Sequence, residues 1–86
     1  MKFDYYADPG HEWLKVPHAL LAKIGVADKI THFSYTRGKY AYLEGDCDCV
    51  TFNDAMRAVG KTIEVRSHYT DRRSKIRSYD HYHYMG

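Results

Sequence analysis

The most constraining feature of this chain is one apolar stripe. Phe52, Ala55, Met56 and Val59 stand at i, i+3, i+4 and i+7, the spacing that lines apolar side chains along one face of an α-helix. Gly60 follows as a stop, and Asp48 or Thr51 stands where a capping side chain belongs. A helix with one such stripe is stabilised by what it covers rather than by its own backbone, so the rest of the chain must supply an apolar surface.

That surface is predicted to be a sheet. Residues 32–36 alternate, with Phe33 and Tyr35 on one side and Ser34 and Thr36 on the other. Arg37-Gly38-Lys39 reads as a turn, and Tyr40-Ala41-Tyr42-Leu43 as the return strand. Residues 2–7 carry β-favouring aromatics, and Asp8-Pro9-Gly10 predicts a type II turn with Gly10 at positive φ. Glu12 to Val16 then places Leu14 and Val16 on one face and Trp13 on the other, while Lys61 to Arg66 places Ile63 and Val65 inward. Pro17 opens a short helix over 17–24 bearing Leu20, Leu21 and Ile24, with Gly25 at its end. The order β-β-α-β-β-α-β predicts an α+β two-layer sandwich, an antiparallel sheet with two helices on one face. Its core should contain Phe52, Met56, Val59, Leu20, Leu21, Ile24, Ile63 and Val65.

The length of 86 residues fits one domain, expected over 1–79 with a Tyr/His-rich tail over 80–86 and an edge strand around 74–79. The hydrophobic fraction of 44% argues against disorder. No run of 18 apolar residues exists, so the reading includes no membrane partner.

Three groups of residues invite a chemical reading. Cys47 and Cys49 flank Asp48. Their spacing is too tight for a structural disulfide and does not match the usual zinc pairing, so the expectation is reduced, metal-free cysteines in a cytoplasmic setting, with no cofactor. Asp8, His11 and Glu12 make an acid–base-rich turn, which is more simply a solvated loop. The last third is basic. From Arg57 to Arg77 seven Lys and Arg face only Glu64 and Asp71, a net +5 over 21 residues, whereas residues 42–54 carry Glu44, Asp46, Asp48 and Asp54. Opposite charge at two ends fits a monomer or a weak head-to-tail dimer. Basic residues interleaved with tyrosines suit protein contacts or phosphate-tracking surfaces. The candidate contact residues are Arg66, Tyr69, Arg72, Arg73, Lys75, Arg77, Tyr79, Tyr82 and Tyr84.

Several segments together also carry a resemblance. Asp8-Pro9-Gly10-His11-Glu12-Trp13-Leu14-Lys15-Val16-Pro17, Asp28-Lys29-Ile30, Phe33-Ser34-Tyr35 with Gly38, Tyr42-Leu43-Glu44 with Asp46-Cys47-Asp48, and Ile76-Arg77-Ser78-Tyr79 resemble a family of short bacteriophage and prophage proteins. The chain departs from that pattern at Gly45, where a second acidic residue is expected, and in the tail His81-Tyr82-His83-Tyr84. The family has no assigned activity, so no residue role carries over. The resemblance implies a phage accessory protein in the bacterial host cytoplasm, of the kind that inhibits a host protein or nucleoprotein complex, as anti-CRISPR and anti-restriction proteins do. The expectation is therefore a non-catalytic binding protein. The alternatives are a nucleic-acid-binding module using the basic last third, and a small metal-binding or thiol enzyme.

Overall fold

The computed structural model describes residues 1–84. Six strands, β1 (Lys2–Ala7), β2 (Glu12–Pro17), β3 (Tyr35–Arg37), β4 (Tyr40–Glu44), β5 (Glu64–Tyr69) and β6 (Asp80–His81), form one sheet in the order β5-β1-β2-β4-β3-β6. Helices α1 (His18–Lys23) and α2 (Asp48–Ala58) share a core on one face of it. The fold is the expected α+β arrangement. No helix among the described residues is long and apolar enough to cross a membrane.

The sheet is mixed rather than wholly antiparallel, because β5 runs parallel to β1. The helices cause this. Each returns the chain to the end of the sheet where the preceding strand began, so the strand after it repeats that strand's direction. Thus α1 joins β2 to β3 and leaves a gap that β4 fills, and α2 carries the chain from β4 to the outer side of β1. The β3–β4 hairpin closes through two residues, with Gly38 at φ 60° and no positive φ at Lys39. That is the type II′ pattern, whose twist matches the flanking strands.

Phe3, Leu14, Val16, Leu21, Ala41, Leu43, Phe52 and Met56 are buried between sheet and helices, with Leu20, Ile24 and Ile63 packed at the margin. Val59 and Val65 do not join them; they are 54% and 47% exposed. Val59 is the C-cap of α2, and Val65 sits on the outermost strand, past the end of the helical cover. Asp48 does not cap α2. Its buried carboxylate accepts from Thr31 N at 3.0 Å, Thr31 Oγ1 at 2.7 Å and Ser34 Oγ, and so ties the loop before β3 to the first turn of α2.

The last segment is part of the fold rather than a separate tail. Residues 70–79 lie against the sheet face opposite the helices, where Ile76 packs on Trp13 and Tyr42. The edge strand expected over 74–79 is instead a 3-10 turn at Lys75–Ser78, started by Ser74 Oγ accepting from Ile76 N. The strand follows, as β6 at the β3 edge. Tyr82 then turns into the helix-side core, and its hydroxyl donates to Ala27 O at 2.6 Å. Met85 and Gly86 of the expected tail lie outside the described residues.

Gly45 has little room for a side chain, since a Cβ there would lie 3.1 Å from Tyr5 Oη and 3.2 Å from Glu12 Cγ. The acidic residue expected at this position therefore does not suit this backbone. Gly45→Asp should cost about 1–2 kcal/mol by overpacking, read as a lower urea midpoint. An unchanged midpoint would show that Tyr5 and Glu12 yield freely.

Candidate functional site

The nine candidate contact residues divide into two groups. Arg77, Tyr79 and Tyr82 are absorbed by the fold. Arg77 Nε donates to Asp8 Oδ2 at 2.7 Å and Nη2 donates to Oδ1 at 2.7 Å. The same carboxylate accepts from the amides of Gly10, His11 and Ser74 at 2.9 Å each. Hydrogen bonds from Arg77 hold the Asp8 carboxyl far below the usual range against the opposing effect of its burial. The Asp8-Pro9-Gly10 turn is therefore built on this carboxylate and not on a positive φ at Gly10, which the chain does not adopt. Gly10 is needed for space, as a Cβ would lie 2.8 Å from Arg77 Nη2. Tyr79 stands edge-on to Tyr42 at 5.1 Å with the Arg37 guanidinium 4.9 Å from its ring centre. Burial pushes the Tyr42 hydroxyl up to about 12.

Arg66, Tyr69, Arg72, Arg73, Lys75 and Tyr84 are exposed. Four of them belong to β5 and the loop after it, and Lys75 opens the 3-10 turn that follows. Every residue of β5 is exposed, and Tyr69 is 70% so. Its backbone is half-used. Glu64 N donates to Met1 O and Thr70 N donates to Ala7 O, so by the alternation of a parallel ladder Glu64, Arg66 and His68 bond toward β1 while Val65, Ser67 and Tyr69 turn their N–H and C=O groups to the open edge. Arg66 Nε donates to Asp4 Oδ1 at 2.9 Å, and His68 Nε2 stands 2.9 Å from the same oxygen. The two partners, Arg66 first, lower Asp4 to about 2. His68 also stacks on Tyr6 at 4.9 Å. These contacts brace the β1–β5 pair from one face. Arg72, Arg73 and Lys75 make no ion pair among the described residues.

The cysteines are free, Cys47 exposed and Cys49 half-buried. Burial first, then the charges of Glu12 and Glu44, push the Cys49 thiol up, the opposite of what activates a thiolate. Among the described residues no three His, Cys, Asp or Glu side chains converge in a way that could hold a metal ion. In the Asp8, His11, Glu12 turn only Asp8 is buried, and its capacity as an acceptor is spent on the contacts above.

The sequence reading missed the free backbone edge of β5, because alternation says which face a side chain takes and not whether a strand has one neighbour or two. It also counted Arg77 as available. Nothing near Arg77 in sequence signals this, because its partner Asp8 is 69 positions away.

No protein-family model matches the chain, and no curated protein or solved structure matches it significantly.

Proposed function

We propose that this is a non-catalytic binding protein that takes a partner protein on the open edge of β5 and the basic loop beyond it. The observation that carries this reading is a six-residue outer strand, exposed at every residue, whose Val65, Ser67 and Tyr69 backbone groups turn to an edge that no described strand pairs. Such an edge is a template for another strand. Arg72 and Arg73 follow the strand within four residues and are exposed, so the occupant is taken to be an extended, acidic segment. Tyr69 adds an exposed amphipathic ring of the type that anchors interfaces. In the phage setting that the resemblance implies, the partner belongs to a host defence complex and strand addition blocks it.

Nucleic-acid binding is the second reading, supported by the same free Arg72, Arg73 and Lys75. It is weakened by the engagement of Arg66 with Asp4 and Arg77 with Asp8, and by the burial of Tyr82, which leave fewer cations and rings for a phosphate backbone than the composition suggests.

The test uses Ser67→Pro, which removes an outward N–H and spares the bonds to β1, beside Arg72→Glu with Arg73→Glu. Immobilised wild type and variants are exposed to nuclease-treated bacterial lysate, and the bound proteins compared. A protein retained by the wild type and lost on both variants supports strand addition. The same retained set on all three overturns it. Micromolar duplex or RNA binding by the pure protein, steeply weakened by salt and indifferent to Ser67→Pro, would put the nucleic-acid reading first.

A further inference from the structure

The sheet face opposite the helices seats cations on aromatic rings. Lys15 Nζ lies 4.2 Å from the centre of Tyr40, the Arg37 guanidinium 4.9 Å from Tyr79, and the Arg77 guanidinium 5.8 Å from Trp13. The electron-rich face of each ring attracts the positive charge. Next to these pairs is a cleft of about 450 Å³ in which rings and negative charge meet without a free cation.

Trp13 and Tyr35 form its aromatic floor. Trp13 is 2% exposed, and the Tyr35 ring meets it edge-on at 6.2 Å. Phe33, a residue 62% exposed, stands beside them with its ring stacked on His32 at 4.6 Å. An apolar ring held this openly is a contact in waiting. Glu44 is the cross-strand neighbour of Trp13 in the β2–β4 ladder, and Asp46 follows two residues on. One Glu44 oxygen accepts from Asp46 N at 2.6 Å. Neither carboxylate has an ion-pair partner among the described residues. His11 and His81 complete the lining. Arg77 is its one permanent cation, and that charge is answered by Asp8 at 2.7 Å. The unanswered charge of the cleft is negative.

We propose that this cleft binds a small organic cation, an alkylated ammonium group. Aromatic walls with two carboxylates match a weakly hydrated cation that offers both methyl contacts and positive charge. They suit a metal ion poorly, since His11, His81, Glu44 and Asp46 do not converge: among the described residues no three His, Cys, Asp or Glu side chains could hold one. The volume falls within the roughly 300–1,000 Å³ typical of small-ligand sites. The head group could come from a free amine in solution or from a trimethylated lysine of a protein. The cleft is formed by β2, β3, β4 and their loops together with Arg77 of the 3-10 turn and His81 of β6, and it does not use the β5 edge, so it stands or falls independently of the strand-addition reading.

Choline is the probe, with 3,3-dimethylbutan-1-ol as its neutral isostere. Trp13 is the only tryptophan, so its emission reports the cleft, and the ring-proton resonances of Phe33 give a second reporter. Choline should saturate both signals, and the isostere should bind about tenfold more weakly or worse. Glu44→Gln with Asp46→Asn keeps the acceptor for the Asp46 amide and should lower choline affinity about tenfold with the thermal midpoint unchanged. Phe33→Ala, at an exposed site, should weaken binding without unfolding. A trimethyllysine peptide that binds far more tightly than choline assigns the head group to a protein, and equal affinity assigns it to a free amine. Silence at both reporters, equal binding of choline and its isostere, or full affinity in the double variant overturns the proposal.

Discussion

Replacing Phe52 with alanine should lower the stability of this protein by about 3–5 kcal/mol. The ring is fully buried and meets Phe3 edge-on at 5.4 Å, at the point where α2 crosses the sheet. The loss combines the transfer of a large apolar ring to water with the cavity left between two elements that cannot both collapse. For a domain whose total stability is of order 5–15 kcal/mol, that is a large share. Val59→Ala, from the same stripe, should change stability by less than about 0.5 kcal/mol, because the side chain is already in water. Urea unfolding of the two variants makes the comparison. Equal losses would mean that the end of the stripe is covered in solution.

Asp8→Asn should be the most damaging polar substitution, at about 3 kcal/mol, near the low end for breaking a buried pair because Arg77 keeps some access to water. The amide keeps one acceptor oxygen where the carboxylate serves five hydrogen bonds. The effect should also depend on pH. The folded Asp8 carboxyl titrates well below the unfolded value of about 3.9, chiefly through Arg77. The unfolded chain therefore takes up the proton first, and the stabilisation is complete above about pH 5 and drains away as the pH falls through and below that value. Thermal midpoints of wild type and Asp8→Asn, followed from pH 7 to pH 2, should differ most at neutrality and converge in acid. Asp4 is also lowered, but it is present in both proteins and drops out of the difference. A gap that stays constant with pH would show that Asp8 acts through shape alone.

Local periodicity was enough to place much of this fold. Leu14 and Val16 take one face and Trp13 the other, and Phe52 and Met56 share a stripe that reaches the core. Gly38 marks its hairpin. What pattern could not decide was coverage. Val65 alternates as correctly as Val16, yet one strand lies at the edge and the other inside the sheet. Pattern was also blind to distance. Asp48 looks like a helix cap from its neighbours, but its partners are Thr31 and Ser34. Tyr82 sits in a segment without aliphatic residues, which pattern assigns to the surface, whereas one hydrogen bond to Ala27 O allows its ring to be buried. The contact surface was half legible. The charge run gave Arg72, Arg73 and Lys75, and hid the engagement of Arg66 and Arg77. The cleft beside Trp13 left no local trace, because its walls come from separate strands and loops.

The parallel pairing of β1 with β5 has a bearing on how the molecule assembles. Asp4 and Arg66 meet across this pair from 62 positions apart. The hairpins β1–β2 and β3–β4 close over short loops, but β5 gains its backbone bonds only after nearly the whole chain has been drawn in, and the entropy of that closure is met before any contact rewards it. The outer strand is thus the natural last step of folding. An edge built this way is offered only by a finished molecule, so a partner docking there would be reading completion of the fold as much as sequence.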